Sequence, residues 1–324
     1  MRSLTRNRIL RAACHGVLIG LFAGGNLPAA EEADPLHRID AGSPAGLREL
    51  FRPGGAPPPF VSAHRGGAAV GYPENCIATF EHTLRSTYAM LEIDPRRTKD
   101  GAIVVHHDET LERTTTGSGR VADHTLAELR QLRLKDRAGN VTPYRIPTLE
   151  AVIAWARGRT VLVLDQKDFT ALERARLVTR LGAEAWVMLI VSRYEEVQAV
   201  HRLNPDLMME VMIPNLEKAR KFAALGVRWS NVIAFVGHQP SDDPALYRFI
   251  HEHGASCMIG TSRNLDREVL SGAVSDIREL ASGYQAFRQR GADIIETDIP
   301  VQLGRFLNSS STVPTSKRRF FRRD

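Results

Sequence analysis

Along the chain, short apolar runs alternate with longer stretches in which apolar residues return every three or four positions. The short runs, rich in Val, Ile, Leu and Met, read as strands at residues 60–64, 89–94, 160–165, 186–192, 207–213, 231–236, 255–260 and 292–297. The helically periodic stretches lie at 75–86, 148–157, 170–182, 194–203, 215–225, 243–253, 274–290 and 300–307. Eight βα units in succession predict an α/β fold of the closed (β/α)8 type, a TIM barrel, over an open doubly wound sheet. No glycine-rich phosphate fingerprint opens a helix, which further disfavours the open sheet.

Residues 95–147 break this alternation and are too long for a simple connection, so a small insertion is expected after the second strand. Within it Ile103–His106 reads as another strand, and Lys99-Asp100-Gly101 before it is a hairpin signal. A two-residue Asp100-Gly101 turn would set His107 opposite Asp94 and point His106 the other way. Long excursions at the C-terminal end of a barrel strand are where such folds place function.

The ends of the chain have a different character. Residues 1–30 combine Arg2, Arg6, Arg8 and Arg11 with an uncharged stretch from Ala12 to Gly25 and small residues before Glu31. That is the pattern of a cleaved secretory signal, so an exported protein, periplasmic or secreted, is expected. Residues 31–59 read as a linker or irregular cap, 60–307 as the barrel, and 308–324 as a basic, disordered tail. The chain carries +6 overall, but its two ends hold more than that, which leaves the body mildly acidic. Such a body excludes nucleic acid as the expected partner. In the tail, Lys317, Arg318, Arg319, Arg322 and Arg323 flank Phe320 and Phe321. That arrangement suits weak contact with an anionic membrane surface; the alternative is a solvated tail without a partner. Once the signal is removed Cys76 and Cys257 remain, at opposite ends of the expected barrel, and both are expected as free thiols.

Polar residues gather where the predicted strands end. His64-Arg65-Gly66 follows the first, Glu92 and Asp94 end the second, Asp165 and Lys167 the third, and Glu296 and Asp298 the last. The i, i+2 spacing puts both members of each of these last three pairs on one strand face, which in a barrel can be the lumen. Glu92, Asp94 and Asp165, with no cysteine nearby, suit one hard divalent cation, Mg²⁺ or Ca²⁺. His64 and His107 can give and take protons near neutral pH, as phosphodiester cleavage requires. Arg65 and Lys167 supply positive charge for a phosphate, unless they are tied up by the same acids.

Together these segments resemble the glycerophosphodiester phosphodiesterase family. The motifs that carry the resemblance are His64-Arg65-Gly66, Pro73-Glu74-Asn75, Leu91-Glu92-Ile93-Asp94, Thr98-Lys99-Asp100-Gly101 and Val105-His106-His107-Asp108. Leu111-Glu112-Arg113-Thr114-Thr115, Ile146-Pro147-Thr148-Leu149 and Thr297-Asp298-Ile299-Pro300 complete them. The resemblance implies a barrel with an insertion after its second strand, His64 and His107 as the acid–base pair, and Glu92 and Asp94 as metal ligands. It also implies that Glu74 and Asn75 line the site. The chain departs from the family pattern in Asp165-Gln166-Lys167, where Glu is usual, and is there similar to sphingomyelinase D-like phospholipases. Cys76 stands where Thr is usual, Gly260-Thr261-Ser262-Arg263-Asn264 replaces a Trp-Thr-Val-Asn segment, and Glu296 replaces an apolar residue.

The expected activity is therefore metal-dependent hydrolysis of a small-molecule glycerophosphodiester to an alcohol and a glycerol phosphate. The competing readings are phospholipase D-like cleavage of a lysophospholipid or sphingolipid, and a non-catalytic exported binding protein. For Glu296 and Arg263 the expectation divides. Either they form an ion pair, or Glu296 receives a cationic alcohol while Arg263 grips an anionic group.

Overall fold

The computed structural model describes residues 35–54, 58 and 60–323. The expected signal segment, residues 1–30, lies outside the described residues. Eight parallel strands close into a barrel. In chain order they are β1 (Val61–Ala63), β2 (Ala89–Ile93), β3 (Leu162–Leu164) and β4 (Val187–Val191). They continue as β5 (Met208–Met212), β6 (Val232–Gly237), β7 (Ser256–Gly260) and β8 (Ile294–Thr297). Each strand pairs with the next, and β8 returns to β1 with Glu296 opposite Ser62.

Strand alternation sorts the core into two layers. Leu91, Leu162, Leu164, Leu189, Met209 and Val211 face outward and pack with the helices. Met90, Val163, Met188, Met208, Met258 and Ile294 belong to a second cluster, inside the barrel. Helices start where their caps dictate: Thr148 accepts from the Ala151 N–H, and Thr170 forms a reciprocal capping box with Glu173.

The ends correct the sequence reading. Residues 31–59 hold a strand, His37–Ile39, and a helix, Pro44–Leu50, rather than only irregular cap. The tail is folded: a 3₁₀ turn at Thr315–Phe320 leads into Phe321–Arg323, which pairs antiparallel with His37–Ile39. Ile39, Leu47, Leu50, Phe51 and Phe320 join the inner cluster and close the N-terminal face of the barrel. Phe321 packs against Phe60 and Tyr88. Burying those two rings is why the tail is ordered, and it removes the apolar half of the expected membrane contact.

The insertion carries the other correction. The hairpin of Pro95–Arg97 and Ile103–Val105 is joined by a longer loop than a two-residue turn. Thr98 N–H bonds to the Ala102 carbonyl and Gly101 takes a left-handed φ of 80°. The loop is thus three residues with glycine at the last. The register shifts by one, and His106, not His107, sits opposite Asp94, with its N–H 2.8 Å from the Asp94 carbonyl. Cys76, which caps the helix Ile77–Ser86, and Cys257 in β7 are both free and buried, as expected.

Candidate active site

Strand twist and lumen crowding bring the strand-end residues to one mouth. His64, Arg65, Glu92 and His107 line a cavity of about 440 Å³ together with Asp165, Lys167, Arg263 and Glu296. Asp94 lies just behind, 1 % exposed, and Asn75 holds it from both sides. The Asn75 Nδ2 donates to Asp94 Oδ2 at 2.6 Å, and its Oδ1 accepts from the Asp94 N–H at 3.1 Å. Asn75 reaches that pose from a left-handed φ of 58°, a conformation asparagine tolerates better than most residues.

The turn after β1 is also left-handed, with φ of 53° at Arg65 and 80° at Gly66. A Cβ on Gly66 would meet the Phe80 ring at 2.3 Å, so only glycine fits there. The turn aims the Arg65 N–H at Glu92 Oε2, 2.8 Å away. It also starts a closed ring of side chains. Arg65 Nη2 donates to His107 Nε2 at 2.8 Å, and His107 Nδ1 lies 2.6 Å from Asp108. Asp108 accepts from Arg113, Arg113 donates to Glu74 at 2.7 Å, and Glu74 accepts from Arg65 at 3.2 Å. Because Nε2 accepts from Arg65, this arrangement assigns the His107 proton to Nδ1. Arg96 adds a bond from Nε to the His107 carbonyl at 2.8 Å.

The two site histidines are displaced in opposite directions. Burial works to lower His64, but the hydrogen bond to Asp298, 2.7 Å away, and the charges of Glu296 and Asp298 raise it above the ordinary histidine value. Burial lowers His107 and outweighs Asp94 and Asp108. His106 lies apart, 2 % exposed, with Nδ1 near the Asp108 carbonyl and Nε2 bonded to Thr114. It is a structural residue, so the shifted register still leaves His107 in the cavity and His106 out of it.

One oxygen each from Glu92, Asp94 and Asp165 lies within 4.8 Å of the others. Burial and repulsion from Asp94 and Asp165 push Glu92 well above the usual carboxylate range. The trio is short of positive charge: Lys167 bridges Asp94 at 3.1 Å and Asp165 at 2.5 Å, and no other side-chain cation is paired with it among the described residues. An all-oxygen set with this deficit fits a hard divalent cation. Lys167 is thus bound to the acids that compete with a phosphate for it.

Several participants were not read from the sequence. Asp298 was noted only as a strand-end acid, and it is the partner of His64. Arg174 is fully buried and donates from Nη1 to the Leu164 carbonyl at 2.7 Å and the Ile190 carbonyl at 2.8 Å, pinning the ends of β3 and β4. Glu210 and His238 also line the cavity. The ion pair considered for Glu296 and Arg263 is not formed. Glu296 Oε1 is buried without a hydrogen-bond partner, and Arg263 is exposed at the rim.

Residues 64–168 match the family model described as the glycerophosphoryl diester phosphodiesterase family. A solved glycerophosphoryl diester phosphodiesterase from Parabacteroides distasonis is 39% identical, with a TM-score of 0.82 over 89% of this chain and 100% of its own. The chain belongs to the glycerophosphoryl diester phosphodiesterase family. Glycerophosphodiester phosphodiesterases of Bacillus subtilis and Caldanaerobacter subterraneus are 31% and 41% identical over 45% and 32% of this chain. Those matches span 56% and 43% of the two relatives' own lengths, so this chain aligns with about half of each. A phosphodiesterase from Oleispira antarctica, solved with its product sn-glycerol-3-phosphate, shares the fold at 21% identity and a TM-score of 0.55, over 79% of this chain and 97% of that one. The matched span, residues 64–168, includes His64, Arg65, Glu92, His107, Asp165 and Lys167 of the cavity.

Proposed function

We propose that this family member hydrolyses glycerophosphodiesters to an alcohol and a glycerol phosphate, with His64 and His107 as the acid–base pair. One divalent cation, Mg²⁺ or Ca²⁺, is held by Glu92, Asp94 and Asp165 in this reading. The observation that carries it is the convergence of both imidazoles and the carboxylate trio on one cavity. When bound, the cation supplies Lewis-acid neutralisation of the phosphate oxygens. Arg65, held by Glu74 and His107, adds positive charge beside the phosphate, and Lys167 adds a second. Asp298 fixes the orientation of His64 and leaves its Nε2 to face substrate. Asp108 orients His107 through Nδ1, and its Nε2, which accepts from Arg65, is the atom that takes up a proton. One imidazole takes a proton from the attacking hydroxyl or water and the other protonates the departing alcohol. The upward displacement of His64 and the downward displacement of His107 support His64 as the donor.

The cavity lining favours a water-soluble diester over an intact lysolipid. Ile190, Met212 and Phe235 are its apolar members, among many charged ones, and they offer little surface to an acyl chain. Phosphorus NMR of the mature protein with a panel of glycerophosphodiesters and lysolipids tests this, with Mg²⁺, with Ca²⁺ and with chelator. Release of glycerol phosphate only when a divalent ion is present is expected. Turnover of lysolipids alone would favour the phospholipase D-like reading, and binding without turnover the non-catalytic one. The pattern of residues 1–30 supports an exported protein in this reading, and recovery of mature protein only in the cytoplasmic fraction would refute it.

A further inference from the structure

Two acids of the cavity have no role in the chemistry above. Glu210 on β5 and Glu296 on β8 project into the lumen and are 4 % and 7 % exposed. Neither takes part in an ion pair among the described residues that the structure records, and Glu296 Oε1 accepts no hydrogen bond. Among the described residues, neither belongs to a group of three or more ligands close enough to share a metal ion. Burial pushes both above the ordinary carboxylate range, Glu296 to about 7, and each acid is further raised by carboxylates nearby.

A buried carboxylate pair needs a positive partner, and the surrounding protein does not provide one. His64, the cation nearest in charge to Glu296, is already bonded to Asp298. His238 faces the same cavity, but burial and the Arg263 charge lower it to about 4, so it is neutral. Arg263 and Arg267 line the rim and are exposed. A cation held by Glu92, Asp94 and Asp165 would satisfy those three acids and leave Glu210 and Glu296 as they are. Phe235 and Met212 line the same cavity. An aromatic ring and two buried acids in one cavity offer the chemistry that holds an organic ammonium group.

We propose that Glu210 and Glu296, with Phe235, form a subsite for an organic ammonium group, which makes the alcohol released a cationic amino alcohol of the choline or ethanolamine kind. The inference rests on the diesterase reading for its substrate but not for its binding chemistry. The two carboxylates contribute charge, and the Phe235 ring contributes a face that tolerates methyl groups on the nitrogen. The subsite selects the alcohol and leaves the phosphate chemistry to the histidines.

The test compares choline with its neutral carbon isostere, dimethylbutanol, as ligands of the full mature chain in excess EDTA, by calorimetry. Choline is expected to bind at least ~10-fold more tightly to the wild type. Glu210→Gln and Glu296→Gln should each narrow that gap and the double variant should close it. With Mg²⁺ present, the preference for glycerophosphocholine over glycerophosphoglycerol should fall about 10-fold in the double variant, through KM and not kcat. Equal binding of the two alcohols by the wild type overturns the subsite without any variant having to fold. So does a double variant that loses both diesters alike, the result expected if neutral Glu210 and Glu296 bond the glycerol hydroxyls. A choline preference in a protein that cleaves no diester supports the subsite and removes the diesterase reading.

Discussion

On four strands of the barrel, the lumen changes from apolar to acidic within two residues. Met90 is followed by Glu92, Val163 by Asp165, Met208 by Glu210 and Ile294 by Glu296. Two strand residues span roughly 7 Å, so a dry floor and a charged mouth lie almost in contact. The floor is sealed below by Leu47, Leu50, Phe51 and Phe320. It stabilises the fold by excluding water. That exclusion strengthens every charge interaction above it and raises Glu92, Glu210 and Glu296 together. The acids are thus costly where they stand, and the cost is consistent with a mouth built to receive positive charge.

The contrast can be broken from above. Removing the divalent ion with EDTA, or replacing Asp94 by Ala, should bring diester hydrolysis to background while the protein stays folded. An unchanged rate in a strong excess of chelator would refute the metal assignment. Next in size, His64→Ala and His107→Ala should each lower kcat by ~10² to 10⁴-fold, the span of a general acid or base. His106→Ala should instead lower thermal stability, because it empties a buried site bonded to Thr114. Equal kinetic losses at His106 and His107 would mean that the wrong imidazole has been assigned to the cavity.

From below, the effect should appear in stability and not in chemistry. Met208→Ala leaves a hole in the floor and should lower unfolding free energy by about 2–5 kcal/mol, measured by denaturant titration. A kcat changed by more than about twofold would show that floor and mouth are not separable. The smallest effect concerns the ion pair of His251 with Asp293, 2.8 Å apart. The hydrogen bond that His251 donates to Asp293 raises its pKa despite burial, so the folded state holds the proton more tightly than the unfolded chain. That contribution is complete below the unfolded histidine value and is lost as pH rises through the folded one. The stability gap between wild type and His251→Gln should therefore shrink as pH rises above the unfolded histidine value of about 6.5. A gap that widens with pH would reverse the assignment.

The eight barrel strands were legible because a parallel strand covered on both faces is a nearly unbroken apolar run. The acids at i, i+2 were legible for the same reason: strand period puts them on one face. Glu210 was not, since it stands alone in Met208-Met209-Glu210-Val211-Met212 with no polar neighbour to mark the face. His238 follows β6 without a motif, and its place in the cavity depends on the whole ring of strands closing. The hairpin register failed because Asp100-Gly101 fits a two-residue turn and also the last two positions of a three-residue loop. Sequence cannot choose between them when the flanking residues lack strict alternation. The tail was misread because five cations conceal Phe320 and Phe321, whose partners Phe60 and Tyr88 lie far away in the chain.

Pairing His37–Ile39 with Phe321–Arg323 makes the first and last segments of the fold into one ribbon. A ribosome delivers Phe321–Arg323 long after His37–Ile39. The barrel floor therefore cannot be completed until Phe320 and Phe321 emerge, and the contact that completes it closes a long loop. Until then the lid of Leu47, Leu50 and Phe51 under Met90, Met188, Met208 and Met258 lacks Phe320. A chain halted or cut before Phe320 presents that gap to whatever surrounds it, and so marks itself for chaperones and proteases.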